Sequence, residues 1–329
     1  GLQVEWQDTL VCSGGKQVIY NALAATLNEG DEVIVPAPYW PSFPDIVRVN
    51  DGTPVIVDCG IEQGFKLTPA ALQAAITPRT RWLVLNTPGN PSGAVYSREE
   101  LAALAQVLRL HPQVLVLLDE LYEHIWFTPQ APAHWLAVAP DLRERTLLVN
   151  GVSKAYAMTG WRIGWGAGPA ALVQAMVVIQ SQASSGPNSV AQAAATAALQ
   201  SPDQSFVQQA RNAYARRAQR VTQALDQVPG LALLPPGGSF FAFVHCGALI
   251  GHLRPDGQPI ASDTDLTEWL LESEGVAAVD GGAYGLSPYF RISTAASDEV
   301  LAEATARIAR AVAALKDPAA QAHAHAQPA

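Results

Sequence analysis

Short apolar runs alternate with amphipathic stretches through the first 200 residues. The amphipathic stretches predict helices at 15–27 and 98–110, and Ser97 with Glu100 forms an S-x-x-E capping box before the second. The apolar runs predict strands at 32–35, 54–58, 81–86, 114–119, 146–150 and 162–167. Short apolar strands joined by helices are typical of a mostly parallel mixed sheet covered by helices, so we predict an α/β fold.

The pattern changes after about residue 200. Helices are predicted at 203–227, 263–273 and 297–315, and strands at 239–244 and 289–293. We therefore predict a large domain over residues 1–200, a smaller α+β C-terminal domain over 201–317 that begins with a long polar helix, and a disordered Ala/Gln/His-rich tail over 318–329.

Composition narrows the class of protein. The 329 residues are 49% apolar and 15% charged, which favours a globular protein. The net charge of −9 argues against nucleic-acid and acidic-membrane partners, because both need clustered Lys and Arg. No apolar run has the length of a transmembrane helix, and the first residues lack the pattern of a secretory leader. Since Cys12, Cys59 and Cys246 lack metal-ligand spacing, we predict a cytoplasmic enzyme without a metal site.

A lysine in a small, polar loop is the first candidate for chemistry. The loop follows a predicted strand and reads Asn150-Gly-Val-Ser153-Lys154, and Arg162 comes eight residues after the lysine. A partly desolvated lysine can act as an amine nucleophile that forms an imine. Ser153 and Arg162 are suited to a phosphate, since a guanidinium offers forked donors and a hydroxyl offers one more. By themselves, the same residues also fit a surface lysine and a structural arginine.

Asp119 stands at the end of another predicted strand. Four aliphatic residues precede it in Leu115-Val-Leu-Leu-Asp119-Glu-Leu-Tyr122, and α/β folds have their sites at such carboxyl ends of strands. A carboxylate there needs a cationic partner, and a protonated pyridinium nitrogen is one. A lysine Schiff base with an acidic partner at the ring nitrogen is a signature of pyridoxal phosphate. A helix N-cap or a metal ligand is the alternative role of Asp119.

Two turns carry weaker signals. Asn86-Thr-Pro-Gly-Asn90-Pro-Ser-Gly93 predicts a rigid turn after a strand, with the Asn90 amide exposed. Ser13-Gly14-Gly15-Lys16 opens a helix, and backbone amides at a helix N-terminus bind phosphate. The spacing of a P-loop is absent, so this second turn is weak by itself.

Trp40 and Arg291 complete the candidates. Trp40 follows a predicted strand in Pro38-Tyr39-Trp40 and could stack on a flat cofactor, although packing is the commoner fate of such a ring. Arg291 interrupts an apolar strand in Phe290-Arg291-Ile292-Ser293. A buried guanidinium needs an anion, and a substrate carboxylate is one candidate.

Together these segments resemble the class I aminotransferase family, fold type I of the pyridoxal-phosphate enzymes. The resemblance reaches from the first residues to about Leu315, and Ser-Lys with Gly-Trp-Arg-Ile-Gly is its most specific part. Gly-Gly-Lys-Gln, Pro-Tyr-Trp and Ala-Met-Thr-Gly-Trp-Arg-Ile-Gly are similar to the bacterial aspartate/prephenate aminotransferase branch. The resemblance implies pyridoxal 5'-phosphate as cofactor, a homodimer, and transfer of an amino group from an L-amino acid, aspartate or another dicarboxylic acid, to a 2-oxo acid.

The resemblance also implies roles around the cofactor ring. Lys154 would hold the cofactor as a Schiff base and move the proton at the substrate Cα. Asp119 would pair with the pyridine nitrogen and keep it protonated. Tyr122 and Asn90 would bind the phenolate oxygen, and Trp40 would stack on the ring face.

Phosphate and substrate contacts are implied in the same way. The phosphate would be held by Arg162, Ser153 and the segment Gly14, Gly15 and Lys16. The substrate would be held by Lys16, Trp40, Asn90 and Arg291. Among these, Arg291 would bind the α-carboxylate with help from Asn90, and the Lys16 side chain would meet the distal carboxylate.

The chain departs from the family pattern in three places. The turn reads Pro-Gly-Asn90-Pro-Ser-Gly instead of the commoner Pro-Asn-Asn-Pro-Thr-Gly. Gly151 stands where many relatives have a serine that binds the phosphate, so one contact is expected to be lost. The family's N-terminal arm, which packs on the partner subunit, does not match any segment of this sequence, so we expect this chain to dimerise poorly and to have low activity.

Three other functions compete with transamination. A carbon–sulfur β-lyase on the same scaffold uses nearly the same cofactor residues. The aminotransferase-like domain of a transcription regulator would need a basic DNA-binding head, which this acidic sequence lacks. A nicotinamide dehydrogenase is disfavoured, because Gly164-Trp-Gly166-Ala-Gly168 has the wrong spacing for G-x-G-x-x-G.

Overall fold

The computed structural model describes residues 4–317, which form two β-sheets with their helices. The strands of the larger sheet are β1 Thr9–Cys12, β2 Glu32–Ala37, β3 Thr53–Asp58, β4 Thr80–Asn86, β5 Leu115–Asp119, β6 Thr146–Gly151 and β7 Gly164–Ala167. Their order across the sheet is β1-β7-β6-β5-β4-β2-β3. Strands β2 to β6 run parallel, whereas β7 is antiparallel to both β6 and β1. The sheet is therefore mixed and mostly parallel.

Helices lie on both faces of this sheet. They are α1 Gly15–Thr26, α2 Ser42–Val49, α3 Pro69–Ala75, α4 Arg98–Arg109, α5 Trp135–Val138, α6 Ala170–Ala183 and α7 Ser189–Gln200. One apolar cluster joins α1, α2 and α6 to the sheet through residues such as Ile19 and Met176. A second cluster joins α3, α4 and α5 to the opposite face through Leu72, Leu104 and Trp135. Two covered faces explain why the parallel strands are continuous apolar runs.

A second, smaller unit follows in the chain. Its elements are α8 Ser205–Leu225, β8 Ala232–Leu233, β9 Phe241–His245, α9 Asp263–Glu274, β10 Val279–Asp280, β11 Tyr289–Ser293 and α10 Asp298–Ala313. The four strands form an antiparallel sheet in the order β10-β11-β9-β8, over a separate core that includes Leu225, Val244 and Ile308. The domain boundary at residue 200 stays a prediction, and the tail predicted over 318–329 lies outside the described residues. Within residues 4–317, no helix combines the length and the apolarity needed to cross a membrane.

The observed ends of several helices and strands can be compared with the ends predicted from the sequence. The capping box before α4 is present, with Glu100 N donating to Ser97 Oγ and Ser97 N donating to Glu100 Oε2. Two strands begin two residues later than predicted, because Arg162 and Ser239 adopt left-handed φ values of 56° and 59°. As a result β7 begins at Gly164 and β9 begins at Phe241.

The carboxyl ends of the parallel strands meet at one edge of the larger sheet. There β4 ends at Asn86, β5 ends at Asp119, and β6 ends just before Lys154. The smaller unit contacts the same region, because Gly237 N and Gly238 N both donate to Gly93 O, at 2.9 and 3.0 Å. This edge is the place where an α/β fold forms a site.

Candidate active site

A cavity of about 320 Å³ opens at this edge of the sheet. Its lining residues are Gly15, Lys16, Ile19, Trp40, Asn86, Asn90, Asp119, Leu121, Tyr122, Ser153, Lys154, Thr159, Arg162, Phe241 and Arg291. Every residue that the sequence predicts for the site is in this lining except Gly14, which precedes Gly15 directly. The structure thus brings the predicted residues together, while the role of each residue stays a prediction.

Asp119 is the buried acid of the cavity. Its side chain accepts a hydrogen bond from Leu121 N at 3.1 Å, and the residue is 5% exposed. Burial raises the pKa of Asp119 from 3.8 to about 7, against the opposing effect of that hydrogen bond. A carboxyl group in this environment gains its negative charge most readily when a cation lies against it.

Lys154 supplies an amine to the same cavity. Loss of solvent lowers the pKa of Lys154; Asp119 opposes this shift, whereas the positive charge of Arg162 adds to it. The Nζ atom lies 5.7 Å from the ring centroids of both Tyr122 and Phe240. A lysine with a lowered pKa has more of its neutral form at physiological pH, and the neutral form is the nucleophile.

Ser153, Thr159 and Arg162 form one wall with unused hydrogen-bonding capacity. Thr159 Oγ1 donates to Ser153 O at 3.0 Å, and Arg162 Nη1 donates to Thr159 O at 3.1 Å. Ser153 Oγ is buried and has no hydrogen-bond partner among residues 4–317. Gly14 faces this wall with φ 90°, and a Cβ atom there would overlap the Arg162 guanidinium. The wall therefore offers a hydroxyl, a guanidinium and a close backbone approach to an anion.

Arg291 reaches the cavity from β11 of the smaller unit. Its Nη1 donates to Asn90 Oδ1 at 3.1 Å. The guanidinium carbon lies 4.3 Å from the ring centroid of Phe241 and 4.9 Å from that of Tyr284. Burial lowers the pKa of Arg291, and its buried Nε atom has no hydrogen-bond partner in the part of the chain that the structure describes. A carboxylate in the cavity would satisfy this donor.

Lys16 and Trp40 lie together at the mouth of the cavity. Lys16 is exposed, and its Nζ atom lies 4.9 Å from the centroid of the Trp40 ring. This cation–π contact holds the ammonium group over a ring that lines the cavity.

Sequence reasoning missed Ile19, Asn86, Leu121, Thr159 and Phe241 in the lining. Asn86 ends a predicted strand, as Asp119 does, so the same argument from strand ends could have found it. Thr159 lies inside the Lys154–Arg162 loop. Phe241 belongs to the smaller unit, and no local pattern places it against a cavity of the larger one.

Fold and site together define a class of protein. The protein has the architecture of a fold type I aminotransferase. Its mostly parallel sheet is followed by a smaller α+β unit, and a lysine amine and a buried carboxyl group lie at the edge between them. The chain belongs to the class I and II aminotransferase family, whose sequence model matches residues 1–308.

Individual relatives agree with this assignment. The chain is 51% identical over 308 residues to an aspartate/prephenate aminotransferase of Cereibacter sphaeroides, covering 94% of this chain and 77% of that protein. The solved structure of the Rhizobium meliloti aspartate aminotransferase matches with a TM-score of 0.93 and 47% identity, over 96% of this chain and 79% of that one. Thermus thermophilus aspartate aminotransferase with maleate matches with a TM-score of 0.86 and 38% identity, over 94% and 78% of the two chains. The predicted family, fold class and enzyme class are confirmed.

Proposed function

We propose that this aminotransferase uses pyridoxal 5'-phosphate at the cavity to transfer the amino group of aspartate, or of another dicarboxylic amino acid, to a 2-oxo acid. The observation that carries the proposal is the pair formed by a lysine amine and a buried carboxyl group in one cavity, Lys154 and Asp119. The names of the relatives support the same substrate class, since they are aspartate and aspartate/prephenate aminotransferases. These names also favour transamination over a β-lyase reaction.

The residues of the cavity fit this cofactor. Buried Asp119 would pair with the protonated ring nitrogen, a cation that would favour its ionised form together with Lys154. The unpartnered hydroxyl of Ser153, the guanidinium of Arg162 and the amides beside Gly14 would hold the phosphate. Tyr122 and Asn90 would bind the phenolate oxygen, and Trp40 would cover one ring face. When bound, pyridoxal phosphate supplies an electron sink that stabilises the carbanion at the substrate Cα.

The protein's own contribution is binding, orientation and proton transfer. Arg291 would bind the substrate α-carboxylate, with Asn90 fixing its guanidinium through the hydrogen bond between them. This orientation would turn the Cα–H bond toward Lys154, whose neutral Nζ atom would take the proton. Phe240 and Phe241 would exclude water beside the amine, since both rings pack against Tyr122.

An absorption spectrum tests the proposed function. Purified protein with pyridoxal phosphate should develop the visible absorption of a lysine-bound cofactor. Aspartate or glutamate should bleach this band and yield the matching 2-oxo acid, one molecule for each bound cofactor. Release of ammonia and pyruvate from a cysteine-type donor, without aminotransfer, would instead indicate the β-lyase.

Gly14 offers a test of the phosphate wall. Gly14→Ala should weaken cofactor binding about 10- to 150-fold, because the new Cβ displaces Arg162 and a charge-assisted contact is typically worth about 1.5–3 kcal/mol. Gly160→Ala is the matched control, since Gly160 lies in the same loop as Arg162 and a Cβ there would have no described atom within 4 Å. The dissociation constant of the cofactor, titrated by fluorescence on folded protein, distinguishes the two variants. Equal values for both would contradict the assigned wall.

Lys16 would select the dicarboxylic substrate. Its ammonium group lies over the Trp40 ring, and both residues line the same cavity as Arg291, which would bind the α-carboxylate. The relative solved with maleate, a dicarboxylate, supports a site for two carboxyl groups in this family.

Lys16→Ala should lower kcat/KM for aspartate about 10- to 150-fold and leave kcat/KM for alanine or an aromatic donor nearly unchanged. Lys66→Ala serves as the control, because Lys66 pairs with Glu100 away from the cavity. A parallel loss for both classes of donor would assign Lys16 to the cofactor or the fold.

We propose further that the active form is a homodimer. Apolar side chains are exposed on neighbouring α1 and α6, at Tyr20, Val177 and Val178, and a second copy of the chain would cover them. Because the sequence predicts a weak contact, sedimentation velocity of the cofactor-bound protein should give a mass between one and two chains that rises with protein concentration. A single-chain mass at full activity would refute the dimer.

A further inference from the structure

Asn86 makes two hydrogen bonds at the end of β4 that the proposed chemistry does not use. Its Nδ2 atom donates to Asp119 O at 3.0 Å. Its Oδ1 atom accepts a hydrogen bond from Asn90 N at 2.8 Å. The side chain therefore joins the end of one strand to the turn that follows another.

These two bonds extend into a continuous chain of contacts across the cavity. The backbone N–H of Asn90 donates to Asn86, and the side-chain Oδ1 atom of Asn90 accepts a hydrogen bond from Arg291 Nη1. The chain thus runs from Asp119 through Asn86 and Asn90 to Arg291, which comes from the smaller unit. The two bonds of Asn86 need one donor and one acceptor on the same side chain, and an amide group supplies both in a single rigid plane.

Asn86 also borders a second cavity beside the turn. A small cavity of about 30 Å³ lies behind the turn, and Asn86 and Asn90 line both this cavity and the larger one. Truncation of Asn86 would enlarge the space on the inner side of the turn. The Asn90 backbone would then have room to move as well as an unpaired N–H group.

We propose that Asn86 is a positioning residue: it sets Asn90, and through Asn90 the guanidinium of Arg291, at a fixed distance from Asp119. This inference rests on the proposed function, in which Arg291 binds the α-carboxylate of the substrate. Asn86 acts through Asn90, so its effect on ligand binding depends on the Asn90 side chain.

A double-mutant cycle on ligand affinity tests this dependence. Asn86→Ala should raise the dissociation constant of maleate from the cofactor-bound protein about tenfold, as expected for a lost buried hydrogen bond. In an Asn90→Ala background the same change should raise it less than about twofold, because Arg291 has already lost its partner. A residue that merely stabilises the fold would give the same factor in both backgrounds, and that result would overturn the proposal.

Asn50→Ala is the matched control. Asn50 Nδ2 donates to Ile46 O at the end of α2, so this variant also removes an amide with one hydrogen bond to the backbone, but away from the cavity. Its dissociation constant for maleate should equal that of the parent. Equal effects of Asn50→Ala and Asn86→Ala would also overturn the proposal.

Hydrogen exchange gives a readout that needs neither cofactor nor activity. Because Pro88 and Pro91 have no N–H group, the segment 87–91 carries amide hydrogens only at Thr87, Gly89 and Asn90. Thr87 N and Gly89 N donate to backbone oxygens, whereas Asn90 N donates to Asn86. Asn86→Ala should therefore speed the exchange of one amide in this segment of the cofactor-free protein.

Maleate affinity and hydrogen exchange together distinguish a failure of the positioning role of Asn86 from a failure of the proposed function. Unchanged exchange in Asn86→Ala would sink the positioning role, whatever the activity of the parent. If exchange is faster in Asn86→Ala while the parent binds no maleate, the proposed dicarboxylic substrate would be refuted and the role of Asn86 in ordering the turn would remain supported.

Discussion

Lys154→Ala should lower the rate of transamination by at least about 10⁴-fold, the largest loss expected from any single change in this protein. The variant removes the amine that would hold the cofactor and the base that would take the proton from the substrate Cα. General acid–base catalysis alone is typically worth 10²- to 10⁴-fold, and loss of the covalent attachment adds to it. Stopped-flow and steady-state rates with aspartate and a 2-oxo acid measure the effect.

Chemical labelling locates the amine independently of the rate. Borohydride reduction of the cofactor-bound parent, followed by peptide mapping, should place the label on Lys154. The control is Lys66→Ala, which should retain both the label and the activity. A label on Lys16 or Lys66 would contradict the assignment of Lys154.

Asp119→Asn should have the second-largest effect, a loss of about 100-fold in rate with a smaller loss of cofactor affinity. The asparagine has nearly the same shape, but it cannot supply the negative charge that would keep the ring nitrogen protonated. Asp58→Asn is the control, because Asp58 ends β3 in the same parallel sheet but is exposed and lies outside the cavity. Activity of Asp119→Asn within a few-fold of the parent would rule out the proposed pairing.

The stability of the cofactor-free protein provides a second measurement for Asp119. Because burial raises the pKa of this group from 3.8 to about 7, the native state holds the proton more tightly than the unfolded state does. The contribution of Asp119 to the free energy of unfolding should therefore decline as the pH rises from about 4 to 7. Asp119→Asn should remove this decline and be the more stable protein at pH 8 in urea titrations. An unchanged pH dependence would show that Asp119 is ionised in the cofactor-free protein.

The raised pKa of Asp119 means that this residue serves the proposed chemistry while it lowers the stability of the cofactor-free protein at neutral pH. A buried carboxyl group without a cation opposes folding at neutral pH, whereas the same group becomes a favourable partner once a positively charged ring lies against it. Cofactor binding should consequently stabilise the protein more at pH 8 than at pH 5.

The local sequence predicted the elements of the larger unit that carry the site. Continuous apolar runs identify the buried parallel strands, because both faces of such strands are covered. The capping box at Ser97 and Glu100 involves residues only three apart, so it forms wherever α4 forms. Asp119 and Lys154 could be placed at strand ends for the same reason. Asp119 directly follows one apolar run, and Lys154 comes a few residues after another.

Other features of the site were decided by contacts between distant parts of the chain. Arg291 pairs with Asn90 across 201 residues, and Phe241 enters the lining from the smaller unit. Such pairings depend on how two units pack, and no periodicity within either segment encodes that packing. The left-handed φ of Arg162, which delays the start of β7, is likewise held by the loop around it instead of by the strand-like residues that follow.

The sequence by itself therefore determined which side chains are present and at which ends of which strands they stand. Family motifs are local, and strand ends follow from local apolar patterns. Only the tertiary structure decided the electrostatic environment of these side chains, because desolvation depends on every group packed around them. The raised pKa of Asp119, the lowered pKa of Lys154 and the bridge that Asn86 forms between Asp119 and Asn90 arise from that packing.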